Sequence, residues 1–145
     1  MTGQAARRDR LTTIKVRRDF LAVRGGYRVR KSSFLIEAKA RKASVTAHGL
    51  HSASGSRFGF TVTKKLGNAV TRNRIRRRLK EAVRASLPGA TRENFDYVIV
   101  AFDGAKEQPF VGLVADIEAS LRDITAQADS GPPPPQRRKR RKPRS

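Results

Sequence analysis

The chain has 145 residues, no cysteine and no tryptophan. It carries 33 lysines and arginines against 12 acids, a formal net charge of +21. Without cysteine there is neither a disulfide framework nor a thiolate metal site, and no apolar run approaches the roughly 18 residues of a membrane span. A charge this large calls for a polyanionic partner, either nucleic acid or an anionic membrane surface.

The N-terminal stretch MTGQAARRDRLTT has no apolar segment after Arg7 and Arg8, so no signal peptide is expected and cytoplasm is the expected compartment. Val16 to Arg24 (VRRDFLAVR) sets Val16, Phe20 and Val23 at helical spacing, and Gly25-Gly26 ends the helix. A short strand is expected near residues 27–30. Residues 32–40 (SSFLIEAKA) form a second strand, with Phe34 and Ile36 on one face, and the small, polar residues 41–56 read as a loop. RFGFTVT, from Arg57, alternates Phe58, Phe60 and Val62 with small or polar residues, as a half-buried strand does. Thr71 is the expected N-cap of a helix running to about Leu87, where Pro88-Gly89 stops it. The nearly continuous apolar run FDYVIVAF, Phe95 to Phe102, is the expected central strand. Pro109 is placed in the first turn of a last helix, with Phe110, Leu113, Val114, Ile117, Leu121 and Ile124 as its apolar stripe.

The expected order is α-β-β-β-α-β-α: an α+β domain with a small mixed four-stranded sheet and three helices, spanning residues 1–128. Residues 129–145 (DSGPPPPQRRKRRKPRS) have nothing apolar to bury and are expected to be a disordered basic tail. That tail holds seven of the cations and one acid. The preceding residues still carry 26 cations against 11 acids, a net +15. The body itself is therefore basic.

Much of that charge sits on one helix. RNRIRRRLKEAVR, from Arg72, places Ile75, Leu79, Ala82, Val83 and Ser86 in one sector and Arg72, Arg74, Arg76, Arg77, Arg78, Lys80 and Arg84 around the rest, with Glu81 the only acid. Like charges four apart, added to cations near a positive helix N-terminus, cost about 1–3 kcal/mol. A merely solvated face mixes glutamate with lysine. One sign dominates here, and arginine, whose planar fork suits phosphate, is preferred. The pattern favours nucleic-acid contact, with Lys64, Lys65, Gly67 and Asn68 in the preceding turn able to converge on the same phosphates.

At these residues the sequence resembles the bacterial ribonuclease P protein subunit. The resemblance rests on a strand followed by KKLGNAV (Lys64 to Val70), then RNRIRR (Arg72 to Arg77), and it extends in order and length over about residues 8–126. It implies a subunit of the ribonucleoprotein that makes the 5′ ends of mature transfer RNAs, with catalysis by the RNA and its magnesium ions. It implies no catalytic residue, metal site or cofactor on the protein, one protein per RNA, and no membrane. The partners implied are ribonuclease P RNA and precursor tRNA. By position, Lys64, Lys65, Asn68, Arg72, Asn73, Arg74, Arg76 and Arg77 would contact the RNA subunit. Phe20 and Phe34 would line a cleft for the 5′ leader, where aromatic rings stack on single-stranded bases. Plain core packing is the alternative for both. A left-handed β-α-β crossover is implied as well.

The sequence departs from the family pattern at Arg24 and Glu37, where aromatics are usual, and at Arg78, where leucine is usual. The His48/His51 pair lacks neighbouring ligands for a metal, and KKLGNAV lacks the Gly-Lys-Thr ending of a phosphate-binding P-loop. No Gly-x-Ser-x-Gly nucleophile motif occurs, and Asp96 and Asp103 read as strand-end residues. A structural RNA-binding protein without a catalytic partner remains the competing function. A DNA-binding protein is less favoured, because no helix-turn-helix pair precedes the basic helix.

Overall fold

The computed structural model describes residues 11, 13–41, 44–46, 49–51, 56–91 and 95–133, and of residues 44–51 and 87–90 only the backbone. The elements are α1 (Arg17–Ala22), β1 (Tyr27–Arg30), β2 (Phe34–Ala40), β3 (Ser44–Thr46), β4 (Gly49–His51), β5 (Arg57–Thr61), α2 (Ala69–Ala90), β6 (Phe95–Ala101) and α3 (Phe110–Ser130), with 3-10 turns at Lys64–Leu66 and Asp103–Lys106. Four strands form one mixed sheet in the order β1-β2-β6-β5, in which β5 and β6 run parallel and the other neighbours antiparallel. The architecture is the expected α+β. One addition is the two-stranded β3–β4 piece inside the segment read as a loop. Its strands are three residues each, too short for a period-two pattern to register.

Strand parity assigns the two faces of the sheet. Phe34, Ile36, Phe58, Phe95, Tyr97 and Ile99 point to one side, where they join Ile75, Leu79 and Val83 of α2 and Leu113, Ile117, Leu121 and Ile124 of α3 in the main core. Phe58 and Tyr97 stack there at 4.9 Å between ring centroids. The opposite side has only a small cluster of Ile14, Val23 and Val98, with Phe20 and Val100 packed against it. Among the described residues, this second face is covered by the six-residue α1 and by Ile14 of the segment before it. The outer edge of β5 is covered by the N-terminal segment, where Ile14 N–H donates to the Phe58 carbonyl at 2.8 Å. At the end of α1, Gly25 takes φ +85°, and a Cβ on Gly26 would lie 2.1 Å from the Ala38 carbonyl oxygen. The Gly-Gly pair thus turns the chain and lets it pass hard against β2.

Several boundaries differ from expectation. Val16 is the N-cap of α1 and is 51% exposed, so only Phe20 and Val23 of its expected stripe turn inward. Helix α2 starts three residues earlier than expected. Its cap is Asn68, whose Oδ1 accepts from Thr71 N–H at 2.9 Å; Thr71 is already helical. The arginines therefore begin in the second turn, beyond the strongest part of the dipole field. The helix also runs through Pro88 to Ala90. Pro109 is the N-cap of α3, and Phe110, assigned to its buried stripe, is 44% exposed. Asp129 and Ser130, read as tail, are the last residues of α3. The Tyr27 hydroxyl then donates to the Gly131 carbonyl at 2.6 Å, which moves the end of the folded body past residue 130.

The inward stripe decides whether α2 can hold its charge. Burying Ile75, Leu79 and Val83 contributes roughly 4–9 kcal/mol, against about 1–3 kcal/mol of repulsion. Arg78 adds to the favourable side. Its guanidinium donates to the carbonyls of Ala105 (3.2 Å), Lys106 (2.8 Å) and Gln108, tying α2 to the turn before α3. This arginine, where the resembled family usually has leucine, satisfies otherwise orphaned carbonyls at a turn end. Arg78→Ala is expected to lower unfolding free energy by about 1.5–3 kcal/mol, measurable as a drop in the urea midpoint at constant m-value.

Candidate nucleic-acid interface

The cationic surface is assembled by the turn after β5. Lys64 and Lys65 are exposed on a 3-10 turn whose third residue, Leu66, is buried and pins it to the core. Gly67 follows at φ +139°, a conformation L side chains rarely adopt, and places Asn68 to cap α2. With its Oδ1 engaged by Thr71 N–H, Asn68 has its amide N–H donors left for a ligand. Arg74, Arg77 and Asn73 are exposed, and Arg72 and Arg76 are half-buried. Arg76 donates to Asn73 Oδ1 at 3.0 Å. The Arg72 Nε is enclosed and has no hydrogen-bond partner. The predicted residues of the turn and helix thus lie together on one continuous segment, with Lys64, Lys65, Arg74 and Arg77 exposed to solvent.

Phe20 and Phe34 are not brought together. Phe34 is fully buried, on the α2/α3 side of the sheet, and so cannot line a cleft beside α1. Its parity with Ile36 and Ala38 fixes that side. Phe20 does face the open side. Its ring lies on Gly59, where an added Cβ would come within 2.4 Å of Cε1. A cavity of about 150 Å³ opens here, lined by Phe20, Leu21, Val23, Arg24, Glu37, Thr61, Val98 and Val100. A second, of about 320 Å³, shares Val23 and continues along α1 past Arg18, Asp19, Lys39, Arg41, Arg57 and Asp96. Arg24 and Glu37, the two positions where the family pattern has aromatics, both line the first cavity. Only Val62 and Thr63 separate Thr61, on the cleft floor, from Lys64.

Asp96 is the residue that sequence reasoning missed. It is 4% exposed and accepts from Arg57 Nε at 2.9 Å, Arg57 Nη2 at 2.7 Å and Arg41 Nη1 at 2.6 Å. Arg57 also reaches Asp19 of α1 at 3.4 Å. The Asp96 hydrogen bonds push the Arg57 pKa above its ordinary value, outweighing desolvation. The larger cavity is thus walled by guanidinium groups held in fixed positions. The available signal was an aspartate inside an otherwise apolar strand, a residue that needs a buried partner.

An open, half-apolar cleft that leads onto a helix end crowded with arginine defines a small α+β domain of the polyanion-binding class. The Ribonuclease P family model matches residues 7–125, and the chain belongs to that family. Among curated relatives, the ribonuclease P protein component of Bartonella quintana is 46% identical over 112 residues, which cover 77% of this chain and 82% of the relative. Among solved structures, a Staphylococcus aureus RNase P protein mutant with defective mRNA degradation activity superposes with a TM-score of 0.62 at 25% identity, covering 78% of this chain and 87% of the other. The RNase P protein from Thermotoga maritima shares the fold with a TM-score of 0.61 at 22% identity, over 77% and 96% of the two chains.

Proposed function

We propose that this chain is the protein subunit of ribonuclease P and promotes endonucleolytic removal of the 5′ leader from precursor tRNA. Lys64, Lys65, Asn68, Arg72, Asn73, Arg74, Arg76 and Arg77 bind the catalytic RNA, and the cleft along α1, with Phe20, takes the leader. The observation that carries this reading is the adjacency of the two surfaces, joined by the short run from Thr61 to Lys64. One RNA chain can then meet both. Arginine side chains and backbone donors position phosphates, and an aromatic wall stacks unpaired bases without reading their sequence. The exposed donors are cationic and fit phosphate rather than a metal, so magnesium is held by the RNA. The chemical step is the RNA's, with one protein per RNA, in the cytoplasm. The body ending at α3 is the binding domain, and the basic residues from Arg137 onward add sequence-independent affinity.

The test is reconstitution with a bacterial ribonuclease P RNA and a 5′-labelled precursor tRNA, at magnesium low enough that the RNA alone is nearly inactive. The full chain is expected to restore cleavage at the mature 5′ end. Arg72→Ala/Arg77→Ala is expected to need roughly 10- to 100-fold more protein for the same rate. A chain ending at Pro133 keeps the Tyr27–Gly131 bond and is expected to cleave correctly with weaker RNA affinity. Tight RNA binding with no stimulation of cleavage would reject the assignment in favour of a purely structural RNA-binding protein.

A further inference from the structure

Glu37 is a carboxylate on the floor of a cleft whose surroundings suit a polyanion. It stands mid-strand on β2, between Arg28 of β1 and Val98 of β6 in the sheet register, and lines the 150 Å³ cavity with Phe20, Arg24 and Thr61. It is half-buried. Among the described residues no hydrogen bond or ion pair engages it, although opposite charges facing each other across strands ordinarily attract. Against a passing phosphate it is repulsive. A carboxylate here gains from a ligand that presents hydrogen-bond donors, as the N–H groups of an unpaired base edge do.

The four bases differ in what they offer a carboxylate. Guanine presents N1–H and an N2 amino group side by side, two parallel donors spaced for two carboxylate oxygens, the geometry of the strong bidentate pairs. Adenine and cytosine present one amino group beside a ring nitrogen that is itself an acceptor. Uracil presents a single N–H between two carbonyls. Unpaired RNA bases are read in this way, stacked on a ring and hydrogen-bonded along the Watson–Crick edge. Phe20 supplies an aromatic ring to the cavity that Glu37 lines, and Arg24 supplies a cation to the same cavity. We infer that Glu37 makes this cleft select guanine at one leader nucleotide, a specificity that rests on the cleft being the leader site as proposed above.

The experiment uses the holoenzyme reconstituted from the full chain and a ribonuclease P RNA. Its substrates are precursor tRNAs with all-uridine leaders into which guanine, adenine or cytosine is placed at each position in turn. One position is expected to bind about tenfold more tightly with guanine than with any other base. Glu37→Gln keeps the shape but loses the charge and one acceptor. It is expected to bring the guanine leader to within roughly twofold of the rest while binding the all-uridine leader no more weakly. A wild-type holoenzyme that ranks the bases equally, or a Glu37→Gln variant that keeps the preference, overturns the inference. Phe20→Ala separates the two layers. If it weakens every leader while wild type shows no base preference, the cleft stands and only the role of Glu37 falls. If it leaves every leader unchanged, the leader-cleft reading falls, and the inference with it.

Discussion

Replacing Asp96 with alanine is expected to cost about 3–5 kcal/mol of folding stability, the range for removing one partner of a buried ion pair. The reason is what remains behind. Arg57 and Arg41 both donate to this carboxylate, and without it two guanidinium groups face each other on the sheet. Their side chains are 29% and 15% exposed; Arg57 can turn partly to water, so the lower end of that range is expected. An arginine guanidinium does not give up its proton in a protein, so relief by proton loss is not open to Arg57; in the wild type the Asp96 hydrogen bonds raise its pKa further. A raised folded-state pKa gives stability that is complete below the unfolded value and is lost only as pH rises through the folded one, well above neutrality. The same residue links stability to function. Arg57 joins Asp96 on β6 to Asp19 on α1, and α1 has few other contacts with the sheet. The variant is therefore expected to weaken leader binding even where it stays folded. Urea denaturation of the variant checks the first claim, and a loss below about 1 kcal/mol would refute it. Leader affinity measured under fully native conditions checks the second.

The second half of the fold was legible because its patterns are long. The run from Phe95 to Ala101 is apolar enough to be central, and it lies between β2 and β5 as expected. Ile75, Leu79, Ala82 and Val83 repeat at helical spacing and are all buried. Start positions were harder. Ala69-Val70-Thr71 contains two β-branched residues and carries little helical signal, and Asn68 and Thr71 are both acceptable caps. Which one caps is decided by whose side chain reaches an N–H two or three residues on, a matter of backbone geometry. Phe34 shows a different limit. Alternation says which residues share a face of a strand, but both faces of this sheet carry helices. Which face meets α1 is set by the order of strands. Asp96 and Arg57 lie 39 residues apart in sequence, and a pair at that separation leaves no local trace. The arginine cluster, by contrast, was readable at once, because a one-signed helix conflicts with local stability and so points to a partner.

RNA affinity is expected to fall steeply with salt, and the slope locates the interface. If Lys64, Lys65, Arg72, Arg74, Arg76 and Arg77 each neutralise one phosphate, released counterions give a log–log slope of roughly −4 to −5. Affinity then drops on the order of 10²- to 10³-fold between about 50 and 200 mM salt. A net charge of +21 would give some salt dependence on any polyanion, so the wild-type slope alone decides little. The difference between variants decides more. Arg72→Ala/Arg77→Ala is expected to flatten the slope by about 2. Arg84→Gln removes a charge from the same helix, but Arg84 is already paired with Glu81 at 2.8 Å, and its slope is expected to match wild type. Titrating labelled RNA at several salt concentrations with the three proteins makes the comparison. Equal slopes for all three would place the phosphate contacts elsewhere on the basic surface. A flattened slope for the double variant alone would show that the repulsion carried by α2 is relieved by phosphates docking at Arg72 and Arg77.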